Sequence, residues 1–166
     1  MPDGRRPLGA EGMARLAAPA LELVGRAAGA GGPAPEAVEV VVQRTAEGLT
    51  RFANSEVHQH VWTEHVSAAV RVVLPGGRAG VVNVSSDDPV EVARAADEAF
   101  TLARLTPEDP TFPGLAPPAP VETAPVDEAT LALSPADRTA AVATLLAQVP
   151  QDYSASGAYQ TGDHEL

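Results

Sequence analysis

An α+β fold follows from three features of the sequence: a β-branched run, a Val-rich alternating stretch, and two helices with apolar stripes on either side of them. Val38, Val40, Val41 and Val42 make a run too short for a typical helix and bounded by Pro and Gly, which reads as a strand. Val66, Ala68, Val70, Val72 and Leu74 are apolar at successive even positions, the period of a strand. Helices near 11–28 and 88–105 supply the covering layer. The predicted domain, residues 11–105, is a mainly antiparallel sheet of about four strands with helices packed on it, followed by a linker and the start of a second α/β domain.

Composition narrows the function. A formal net charge of -11, with no cluster of Lys or Arg, has the wrong sign for binding phosphate backbones. Hydrophobic residues make up 45% and aromatic residues only 4%, so the core must be Val, Leu and Ala. The absence of Cys rules out a disulfide framework and any thiolate metal site, and suits a reducing compartment. The opening Met1-Pro2-Asp3-Gly4-Arg5-Arg6 does not lead into a signal-peptide core, and no run approaches the roughly 20 apolar residues of a membrane span, so a cytoplasmic protein is expected.

Along the chain, residues 1–10 are Gly, Pro and Arg without periodicity and read as a disordered N-terminus. Met13, Leu16, Ala20, Leu21 and Val24 then keep helical spacing, and Pro19 predicts either a kink or a firm helix that starts there. Glu47-Gly48 reads as the turn after the first strand. Val57 and Val61 are apolar at odd positions whereas 66–74 are apolar at even ones, so a turn or bulge is expected near Thr63-Glu64-His65. Pro75-Gly76-Gly77 is a tight turn into a further strand, Arg78 to Ser85. Asp88-Pro89-Val90-Glu91 combines a carboxylate cap with Pro at the first helical position. Residues 106–133 are a Pro-rich linker. Ser134-Pro135-Ala136-Asp137 repeats the cap, and residues 134–166 then give one helix and a strand near 154–160, an incomplete second domain with no partner for that strand.

Side chains with chemistry are few. Glu56, His58, His60 and Glu64 share a strand face with Trp62, and imidazole with carboxylate suits zinc, yet His65 falls on the opposite parity; these are weak metal candidates beside a solvated sheet face. Arg51 and Asn54 could clamp a peptide carboxylate; alternatively Asn54 holds a turn and Arg51 covers Phe52 with its stem. Gly76-Gly77-Arg78-Ala79-Gly80 joins two strands and feeds no helix N-terminus, so it is a turn and no phosphate loop. Ser85-Ser86-Asp87-Asp88 is a cap without triad geometry, and Tyr153 and Tyr159 read as core or inter-domain contacts.

The stretch Leu49-Thr50-Arg51-Phe52-Ala53-Asn54-Ser55-Glu56-Val57-His58-Gln59, then Gly77-Arg78-Ala79-Gly80, the Ala-rich helix ending near Asp109-Pro110, and Ala155-Ser156-Gly157-Ala158-Tyr159 together resemble the N-terminal portion of the TldD/PmbA family. That family was labelled modulator of DNA gyrase and comprises zinc metallopeptidases with zinc-less partner subunits. The resemblance implies proteolysis of small or unfolded peptides in a chamber, zinc in the full-length enzyme, and pairing with a related subunit as a homo- or heterodimer. The family's His-Glu-x-x-x-His motif is absent; the nearest match is His164-Glu165, so no catalytic residue is assigned and this chain, read as a fragment, is expected to be non-catalytic alone. The rival reading is a stand-alone interaction module that adds a peptide to a sheet edge. The zinc-bearing and zinc-less members are not separated by these residues.

Overall fold

The computed structural model describes residues 7–24, 27, 34–117, 119, 124 and 126–166. In chain order these form α1 (Gly9–Leu21), β1 (Ala37–Ala53), β2 (Glu56–Leu74), β3 (Arg78–Val84), α2 (Pro89–Leu105), a one-turn α3 (Glu128–Leu131), α4 (Pro135–Leu146) and β4 (Gly157–Glu165). The strands make one four-stranded sheet in the order β3-β2-β1-β4. The α+β class with a four-stranded antiparallel sheet is therefore as the sequence predicts, but two of its strand boundaries are not.

No turn occurs at Glu47-Gly48: β1 runs straight through both residues and ends at Ala53. The reversal comes at Asn54 and Ser55, whose φ values of 51° and 61° give the two positive dihedrals of a type I′ hairpin turn. Nor is there a break at 63–65, because β2 continues from Glu56 to Leu74. The parity argument fails on its premise that both apolar sets must be buried. Val57 and Val61 stay half-buried, whereas the even set from Ala68 to Leu74, with Val73 beside it, is buried.

The chain divides into two compact units, and the division cuts across the long hairpin: one joins Leu8–Arg44 to His65–Glu122, the other Thr45–Glu64 to Thr123–Glu165. In the first unit, Val42, Ala68, Val70, Val72 and Leu74 meet Leu16 and Ala20 of α1, and Val92, Ala96, Ala99 and Ala103 of α2. These small side chains let helix and strand backbones come close. The limit is reached at Gly80, where an added Cβ would lie 2.1 Å from the Ala99 carbonyl oxygen and 2.7 Å from the Ala103 nitrogen. Asp88 caps α2 by accepting from the Val90 N–H at 2.9 Å. Beyond α2, the Thr106 hydroxyl donates to the Ala79 carbonyl at 3.1 Å and the Asp109 N–H to that of Gly76 at 2.9 Å. The start of the Pro-rich linker is thus tied down over the β2–β3 turn. Pro19 lies inside α1, near its end, and the helix begins at Gly9, ahead of the expected start; residues 1–6 and part of 25–33 lie outside the described residues.

In the second unit, the final strand does have a partner. β4 is hydrogen-bonded to β1 and completes the sheet, which corrects the expectation that this strand lacks a partner. Ser134 and Asp137 form a full capping box at the start of α4, as their spacing predicts.

Replacing Gly80 by Val should lower unfolding free energy by about 3 kcal/mol, since backbone atoms of α2 cannot yield as a flexible side chain would. Urea denaturation is the check; an unchanged midpoint would mean that α2 does not lie on β3 this closely.

Candidate functional site

The segment singled out in the sequence, 48–60, forms the end of the β1–β2 hairpin, and its even-numbered side of β1 is buried at Gly48, Thr50 and Phe52. That burial is built around a residue with no sequence motif to announce it. Arg138 on α4 is 0% exposed. Its Nε donates to the Thr50 hydroxyl at 3.2 Å, and its Nη1 to the Thr161 hydroxyl at 3.3 Å and the Leu133 carbonyl at 3.4 Å. Gly48 makes the room: a Cβ there would stand 2.5 Å from Nη1. The residue taken for a turn glycine is a strand glycine over which a guanidinium lies.

Thr50, also 0% exposed, passes the network on, with its hydroxyl 2.9 Å from Nδ1 of His60. Arg can only donate, so Thr50 accepts from Arg138 and keeps its own proton and a second lone pair for the contact with His60. His60 is engaged as a hydrogen-bond partner, and it is exposed, as His58 and Glu56 are. Among the described residues no group of three or more His, Cys, Asp or Glu is placed to hold a metal ion. The donors present, and the absence of His-Glu-x-x-x-His from the sequence, do not fit a hydrolytic zinc centre.

Arg51 and Asn54 are not brought together on a ligand. Asn54 occupies the hairpin turn. Arg51 is exposed, with Nη1 3.5 Å from Oε1 of Gln59 across the hairpin. Strand parity sets Arg51 and Phe52 on opposite faces, so its stem does not cover that ring; Phe52 packs instead on Gly157, where a Cβ would come within 2.8 Å of Cζ. The turn itself is anchored, because Ser55 N–H donates to the Ala155 carbonyl at 2.9 Å and Ala155 N–H to the Ser55 hydroxyl at 3.1 Å. His164 lies on β4 with Nδ1 3.2 Å from the Thr45 hydroxyl. Tyr153 and Tyr159 are both exposed, so of the expected core or inter-domain roles the core one does not hold.

With no charged group converging on open space here, the chemistry of this site is attachment: it fastens α4 and β4 to the hairpin. Sequence reasoning missed Arg138, and the only hint available was an arginine within a stripe that also holds Val142 and Leu145.

Changing Arg138 to Met should cost roughly 2–4 kcal/mol, by stranding the buried Thr50 and half-buried Thr161 hydroxyls, and Thr50→Val roughly 1–2 kcal/mol. Hydrogen exchange should show the loss concentrated in Pro135–Leu146 and spare Pro89–Leu105. The cap of α4 adds a pH dependence. The Ser134 hydroxyl, then its N–H, holds the Asp137 carboxyl below its ordinary value of 3.8. A depressed native pKa stabilises above the unfolded value and is lost as pH falls through the native one. The stability difference between wild type and Asp137→Asn should thus be constant down to about pH 4 and shrink below it.

The description "PmbA/TldA metallopeptidase domain 1" matches residues 38–103. No curated protein sequence matches the chain. Among solved structures, TldE from Thermococcus kodakarensis is similar at 20% identity and a TM-score of 0.57, over 64% of this chain and 24% of that one. A candidate modulator of DNA gyrase from Bacteroides thetaiotaomicron is similar at 14% identity and a TM-score of 0.69, over 95% of this chain and 36% of that one. At these identities the likeness is one of fold, and the chain spans 24% and 36% of the length of the two structures. The match over β1, β2, β3 and α2 carries the likeness: residues 38–103 are similar to the first domain of the PmbA/TldA metallopeptidases.

Proposed function

We propose that this chain is a non-catalytic part of a TldD/PmbA-type peptidase assembly, forming wall and subunit contact while the zinc chemistry is done by residues it does not carry. One observation carries the reading: residues 38–103 match the first domain of the family, and none of the 166 residues supplies the His-Glu-x-x-x-His ligand set. The buried network at Arg138 agrees with this, since it spends the strongest donor of the site on internal attachment and leaves nothing to polarise a peptide carbonyl. The substrate class is small or unfolded peptides, the partner a related subunit, and the compartment the cytoplasm. Among the described residues no helix is long and apolar enough to cross a membrane. Zinc, where it acts, belongs to the complete enzyme or to the partner. A direct role on DNA is disfavoured by the net charge of -11.

Purified alone and supplied with zinc, the 166-residue chain should leave an unfolded peptide intact, and it should bind a zinc-bearing subunit of the family. Chelator-sensitive cleavage that follows the isolated chain through purification at constant specific activity would overturn the reading, as would failure to associate with any such subunit.

A further inference from the structure

The stretch after α2 reads as linker in the sequence, and the matched segment ends at residue 103, yet residues 106–112 are bonded back onto the first unit. The Thr106 hydroxyl sits between two carbonyls, that of Leu102 in the last turn of α2 at 3.0 Å and that of Ala79 in β3 at 3.1 Å, so one side chain joins a helix end to a strand end. Three residues on, the Asp109 N–H donates to the Gly76 carbonyl at 2.9 Å, in the β2–β3 turn. The Asp109 carboxylate accepts from the Thr111 N–H at 2.9 Å and from its hydroxyl at 2.6 Å, and the Asp109 carbonyl accepts from the Phe112 N–H at 3.1 Å. These bonds curl the chain back over the turn.

The turn is shaped to receive it. Gly76 and Gly77 have φ values of 82° and 71°, which the reversal itself demands. Space is a second demand. A Cβ on Gly77 would stand 2.6 Å from Cβ of Phe112 and 2.7 Å from the Asp109 carbonyl oxygen, and one on Gly76 would stand 2.9 Å from Cγ of Glu108. A reversal alone needs no such contact, so the two glycines also form a seat for the residues that follow α2.

We infer that residues 106–112 are a strap belonging to the first domain, seated on Gly76-Gly77, and that the strap, the β2–β3 turn and the last turn of α2 open and close together. The coupling follows from shared bonds. Lifting the strap gives the Gly76 and Ala79 carbonyls back to water and, through Thr106, loosens the end of α2 in the same event. With the strap closed, the free linker begins at residue 113; with it open, the free linker begins at residue 106. The device therefore sets how much chain is available beyond the domain, whatever the chemistry of the complete assembly, and it does not rest on the peptidase reading.

Trypsin reads both arms of this unit, because the sequence has no Lys and places Arg78 at the start of β3 and Arg104 in the last turn of α2. Phe112→Ala, which leaves the helix and its cap intact, should raise cleavage at Arg78 and Arg104 together by roughly fivefold, as should Thr106→Val, while Arg71 and Arg94 keep their wild-type rates and circular dichroism is unchanged. In the wild type, the Asp109 and Phe112 amides should exchange more slowly than those of an unstructured chain. Exchange of these amides at the unstructured rate overturns the inference, as does unchanged cleavage at both arms. Faster cleavage at Arg104 alone overturns it too, being mere fraying of α2, and so does an equal rise at Arg71 and Arg94, which is unfolding of the whole unit.

Discussion

Everything in this molecule hangs on the unbroken parity of β1. Over its 17 residues, Val42, Arg44, Ala46, Gly48, Thr50 and Phe52 are buried in succession, so one face of one strand is covered along most of its length. The occupants change while the parity does not. Val42 belongs to an aliphatic core with α1 and α2, whereas Gly48 and Thr50 meet the guanidinium of α4. A strand has only two faces, and a single-residue slip would expose the whole series. The two positive dihedrals at Asn54 and Ser55 fix that register where the chain turns back.

Glycine sets the depth of packing on this frame. Gly80 lets the backbone of α2 approach β3, and Gly48 admits Arg138. Gly48 reads as a turn residue in the sequence and is a strand residue in the fold, and at both glycines the missing side chain makes room for a neighbour distant in sequence. A core with 4% aromatic residues has few large side chains to fill wide gaps, so close approach replaces bulk. The Ala-rich face of α2, with Ala95, Ala96, Ala99 and Ala103 all buried, is the helical side of the same solution.

These facts explain what could be read in advance. Helix starts were legible because Asp88 and Ser134 declare them through local hydrogen bonds, and the even face of 66–74 was legible because alternation is local too. The position of the first turn was not, because Glu47-Gly48 carries the stronger composition signal while Asn54-Ser55 has no glycine. The role of Arg138 was illegible for a different reason: its partners lie at positions 48, 50 and 161, and nothing in spacing links them. The histidines show the converse. His58 and His60 have a ligand-like spacing, but Thr50 takes Nδ1 of one and no third donor converges.

The two outer strands differ in a way that bears on assembly. β4 ends in Gly162, Asp163, His164 and Glu165, the charges and glycine that discourage edge pairing. β3 has no such residue between Ala79 and Val84, although the chain carries a formal charge of -11. Among the described residues, the Thr106 hydroxyl donating to the Ala79 carbonyl closes one end of that edge.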